Sequence, residues 1–146
     1  FGCIKKISPE LMAGVKRYMV TAMDEDWEGF DRACIEVLDY NPDDPSWDVY
    51  RDYTIELLRP VCEEEWECTP EVARRTVTFI ARGVKELTFK EGETLPTIPH
   101  VPHMPREFVF MNRLQWGLAS VMGGIGTVGR FREVTEPWIR NPVQPI

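Results

Sequence analysis

The sequence predicts an all-α protein, one helical bundle over residues 1–146. Three observations predict it. Apolar residues recur at helical spacing in segment after segment. A capping hydroxyl, a proline and a glutamate open two of those segments, as Ser8-Pro9-Glu10 and as Thr69-Pro70-Glu71. The stretch Pro105–Gly126, PREFVFMNRLQWGLASVMGGIG, is apolar on both sides of a helical wheel. Phe108, Met111, Leu118 and Met122 form one stripe; Phe110, Leu114 and Val121 form another. A helix apolar nearly all round belongs in the middle of a bundle, so this one is expected to be central. Proline suits its first turn, and the glycines from Gly123 suit its end.

Taken in order, residues 1–7 are a short apolar and basic lead-in. From Ser8 a first helix carries Leu11, Met12, Val15, Met19 and Ala22. Asp24-Glu25-Asp26 breaks that pattern and feeds a short second helix with Trp27, Phe30, Cys34 and Val37 inward. Asn41-Pro42-Asp43-Asp44-Pro45 is a turn cluster. The third helix starts near Ser46, with Trp47, Tyr50, Thr54, Leu57, Leu58 and Val61 inward, and Pro60 should end or kink it near Arg59. Residues 63–67, EEEWE, read as an acidic loop or frayed turn. A fourth helix follows, with Val72, Thr76, Phe79, Ile80, Val84 and Leu87 inward. In residues 88–104, Pro96, Pro99 and Pro102 fall every third position, continued by Pro105, so one edge of a polyproline II segment is all proline. That spacing also occurs in SH3 ligands; the reading preferred here is a stiff strap across the helical body. Residues 130–140 form a last short helix with Phe131, Val134 and Trp138 inward. Short connections should make sequence neighbours antiparallel neighbours in space. The interior glycines Gly14, Gly29, Gly83 and Gly117 each cost about 1 kcal/mol against alanine and are read as points of close helix approach.

Composition excludes several functions. The net charge of −7 lacks the basic footprint that nucleic acid requires. The charge is uneven, −10 over residues 1–68 and +3 over residues 69–146, so the first helices present a solvated acidic surface. No apolar run approaches the roughly 20 residues of a membrane span. The four cysteines, Cys3, Cys34, Cys62 and Cys68, lack C-x-x-C spacing and read as reduced thiols in a reducing compartment. Cys62 and Cys68 are the pair to check for oxidation. The chain opens on Phe1 rather than methionine, and the expectation is a piece of a longer protein.

No catalytic set is visible. Gly124-Ile125-Gly126-Thr127-Val128-Gly129 matches G-x-G-x-x-G, but it follows the longest helix rather than a strand, so it reads as a helix cap and turn. His100 and His103 lie close together without a second ligand cluster, so no metal site is predicted. No nucleophile motif joins serine, cysteine or threonine to a histidine and an acid. Arg113, amid Phe110, Met111, Leu114 and Trp116, is expected to pair with a carboxylate from a neighbouring helix.

The two ends resemble a known family. Phe1-Gly2-Cys3-Ile4-Lys5-Lys6, running into the Ser8-Pro9-Glu10 helix, is similar to the residues that follow the metal-binding aspartate in UbiB/AarF atypical kinase-like proteins. Pro105-Arg106-Glu107-Phe108 through Asn112-Arg113-Leu114 and Gly117-Leu118 resembles that family's C-terminal helix. The resemblance implies the C-terminal portion of a kinase-like C-lobe. Phe1 and Gly2 would be the cofactor-side remnant of D-F-G, with the magnesium-binding aspartate just before them. ATP and magnesium are implied for the parent, an ATPase or kinase linked to isoprenoid quinone (ubiquinone) or lipid metabolism. This chain alone is expected to hold neither and to be inactive. The expected partners are the missing N-terminal part or a second copy. The expected location is cytoplasmic, or membrane-associated on the cytoplasmic side. A second reading stays open: a stand-alone acidic helical interaction module.

Overall fold

The computed structural model describes residues 6–88 and 106–141. Within these, six helices and one short two-stranded sheet follow in the order α1 (Pro9–Met23), α2 (Trp27–Leu38), α3 (Trp47–Cys62), β1 (Trp66–Cys68), α4 (Pro70–Thr88), α5 (Arg106–Gly124), β2 (Thr127–Gly129) and α6 (Phe131–Arg140). The Pro-rich strap and both histidines fall at residues 89–105, outside the described residues, as do Phe1, Gly2 and Cys3. The side chains of Ile80, Val84 and Leu87 are likewise outside them.

Helix starts follow the cap chemistry. Leu11 N–H donates to Ser8 Oγ at 3.1 Å, and Val72 N–H donates to Thr69 Oγ1 at 3.2 Å. At α2, Asp26 Oδ1 accepts from Gly29 N–H at 2.9 Å. Pro60 does not end α3, which runs on to Cys62. So near the C-terminus, proline removes one backbone bond and leaves few turns to disrupt.

The core lies among α1, α2 and α3. Val15, Tyr18 and Ala22 pack with Phe30, Ala33, Cys34 and Leu38, and with Tyr50 and Leu58. Burial pushes the Cys34 thiol up to about 12, with Asp31 adding to the effect and Arg51 opposing it. The Tyr40 and Thr54 hydroxyls are paired in a chain. Thr54 Oγ1 donates to Tyr50 O at 2.9 Å, which leaves the Tyr40 hydroxyl to donate to Thr54 Oγ1 at 3.0 Å. Gly14 and Gly83 are close-approach points: a Cβ there would meet Val37 of α2 at 2.7 Å and Val49 of α3 within contact distance. At Gly29 the crowding comes instead from the Asp26 cap.

Two expectations are corrected here. The helix placed at the centre, α5, is lateral: Phe108, Asn112 and Gly123 are buried, while Val109, Leu114, Leu118 and Val121 are exposed. Apolar residues on every side bury a helix only where the chain supplies partners on every side, and α5 packs chiefly against α4. The acidic stretch 63–67 is only partly a loop. Trp66, Glu67 and Cys68 pair antiparallel with Gly129, Val128 and Thr127, and Trp66 and Cys68 point inward. The fold is therefore mostly helical rather than purely so.

Candidate functional site

Two surface features stand out. The first is an open groove of about 630 Å³ where α1, α2 and the start of α5 meet. Ser8, Glu10 and Arg17 of α1 face Glu36 and Val37 of α2 and Glu107 of α5 across it. Arg17 and Glu36 pair at 2.6 Å, but both are about half exposed, so the pair adds little stability. Behind the groove, Phe108 enters the same core as Val15 and Tyr18. The start of α1 and the start of α5, almost a hundred residues apart in sequence, are joined here.

The second is an apolar groove of about 230 Å³ between α3, α4, α5 and α6. Leu57 and Val61 of α3, Trp66 and Cys68 of β1, Leu118 and Met122 of α5, and Phe131 of α6 line it. One carboxylate reaches it. Glu56, whose side chain is 12% exposed, has Oε1 bonded by Arg75 Nε at 3.0 Å and Oε2 by Arg59 Nη1 at 3.4 Å. The Arg59 guanidinium also sits 4.5 Å from the Trp66 ring centroid. With both oxygens engaged, this acid is neutralised within the chain and the groove behaves as an apolar one.

α6 is pinned by two arginines. Arg132 donates to Cys62 O at 2.9 Å and to Met23 O at 3.4 Å. Arg140 pairs with Asp24 at 2.6 Å and with Glu136 at 2.7 Å. Its hydrogen bonds hold both carboxyls below their ordinary values of 3.8 and 4.5. Such groups add stability that is present above the unfolded-state values and lost as pH falls through the lower folded ones. Arg140→Gln should therefore lower the urea midpoint at pH 7, and the gap should narrow progressively as the pH falls below about 4. A gap that does not change between about pH 7 and about pH 2 would show that the side chain acts through packing instead.

Several residues singled out in the sequence fall elsewhere. Arg113 is exposed, and its neighbour Asn112, 6% exposed, is the buried polar residue of α5. Val134 and Trp138 point outward, while Ile139 is the buried residue of α6. Gly124–Gly129 is a helix end, a left-handed turn at Gly126 (φ 63°) and strand β2, followed by α6 only after Arg130. That is the cap-and-turn reading, with a strand added. Cys34, Cys62 and Cys68 are free thiols, and no group of three His, Cys, Asp or Glu among the described residues is placed to hold a metal. No helix among them is long and apolar enough to cross a membrane. The groove, the Glu56 cluster and the Arg132 contacts went unread. Only Glu56, an acid flanked by Ile55 and Leu57 with Arg59 three residues on, carried a local signal.

No family model, curated protein or solved structure matches this chain.

Proposed function

We propose that this chain is the helical C-terminal part of the C-lobe in a UbiB/AarF-like atypical kinase or ATPase, without catalytic activity of its own. One observation carries the reading. α1, the helix that follows the first resembling stretch, and the start of α5, which opens the second, pack into one core and border one groove. That packing is what a single lobe holding both resembling stretches would give.

In this reading the nucleotide and magnesium belong to residues upstream, where the resemblance would place the nucleotide-binding lobe and the aspartate of D-F-G. When bound there, they supply phosphoryl-transfer chemistry, which would serve isoprenoid quinone or lipid metabolism. The α1–α3 core would have a mechanical role, as a rigid body that follows the D-F-G segment in the chain. The test is Mg-ATP binding by calorimetry, on this chain and on a longer form extended before Phe1. The extended form is expected to have aspartate directly before Phe1 and to bind, and the isolated chain is expected not to bind. Any other residue at that position, or an extended form that fails to bind, would overturn the assignment.

A further inference from the structure

The apolar groove is bordered by two exposed ridges that continue it. On α5 and in the turn just after it the ridge is Leu114, Leu118, Val121 and Ile125, from 58% to 75% exposed. On α6 it is Val134 and Trp138, 70% and 77% exposed. At 3.6 residues per turn, Leu114 and Val121 lie within about 60° of the groove-lining Leu118, and Val134 and Trp138 within about 60° of Phe131. Groove and ridges are thus one surface. The six ridge side chains expose on the order of 700 Å², near the roughly 800 Å² that one partner contributes to a standard interface.

Charge narrows the occupant. The ionic side chains bordering this surface are paired within the chain: Arg75 and Arg59 with Glu56, Arg130 with Glu133, and Arg132 with Glu136. Such a surface offers little to an anionic membrane or an acidic peptide, and much to another apolar, charge-balanced surface. Residues 69–146, which hold the ridges, total +3 against −10 for residues 1–68, so two acidic copies repel least through this half. The cavity has room for one large aromatic side chain, and Trp138 is the most exposed large apolar residue of the described chain.

We propose that two copies of this chain pair through α5 and α6 about a two-fold axis, with Trp138 of each seated in the apolar groove of the other. The contact is isologous: ridge meets groove twice. Trp138 is its anchor, a tryptophan entering a desolvated pocket. The proposal uses this face alone and does not rest on the kinase-like assignment.

Sedimentation of the chain across about 1–100 μM should show a monomer–dimer equilibrium. Trp138→Glu and, separately, Leu118→Glu should each weaken it at least about tenfold with the far-UV circular dichroism unchanged, because both side chains are exposed in the monomer. Trp138→Ala, which adds no charge, should also weaken the dimer and covers a loss of folding by the glutamate variants. A monomer throughout the range would overturn the proposal, as would a dimer indifferent to Trp138 and Leu118. Neither result bears on Mg-ATP binding by the longer form.

Discussion

Phe30→Ala should destabilise the protein by about 3–5 kcal/mol and lower the midpoint of thermal unfolding by roughly 10–20 °C. Phe30 is fully buried on α2, with the Tyr18 ring edge-on at 6.5 Å and the Trp27 ring edge-on at 5.9 Å. The Arg51 guanidinium lies 6.0 Å from its centroid and is held by Asp31 at 2.6 Å. Truncation therefore removes more than transfer energy. It leaves a cavity between three helices, strips the Tyr18 edge of its partner and loosens the seat of Arg51. Phe30→Leu keeps most of the volume and should cost under about 1.5 kcal/mol. Urea unfolding of the two variants separates these terms. If Phe30→Ala costs less than Phe30→Leu is allowed, the core is not organised around this ring.

Much of this was legible because it is local. A capping hydroxyl acts within three residues, so Ser8 and Thr69 were readable, and the buried stripe through Phe30 and Cys34 follows from periodicity within one helix. What failed depends on distant partners. Periodicity marks which sides of α5 are apolar, but not which sides the chain covers, and so the helix was placed at the centre. On α6 the alternatives Val134/Trp138 and Thr135/Ile139 differ by about one residue of rotation, and the larger side chains drew the assignment to the wrong stripe. The β1–β2 pairing was hidden for a related reason. Each strand is three residues long, and β1 sits among glutamates that disfavour a strand locally. The two candidate surfaces were hidden in the same way. Neither appears in a single stretch: the α1/α5 groove brings together helix starts almost a hundred residues apart, and the apolar groove draws on four helices.

Arg132→Ala is expected to cost about 2–3 kcal/mol, a large effect for a side chain that is not in the core. Met23 closes α1 and Cys62 closes α3, and carbonyls in a last turn lack intrahelical donors. Arg132 supplies both from α6, Nη1 to Cys62 O and Nη2 to Met23 O, and so sets one positive charge at the negative ends of two helices. α1 has no basic residue in its own last turn, so this charge comes from 109 residues away. The side chain is 29% exposed, which keeps the screening of these bonds modest. Lysine keeps the charge but offers no planar fork, so Arg132→Lys should recover only about half of the loss. Hydrogen exchange would locate the effect: amides of α6 should exchange faster while those of α2 stay protected until global unfolding. A loss under about 0.5 kcal/mol, with α6 exchange unchanged, would reduce the contact to a surface ion pair. Because α6 carries Phe131 into the groove and Trp138 beside it, loosening this anchor should also weaken the proposed pairing of two copies, although Arg132 itself lies outside the paired surface.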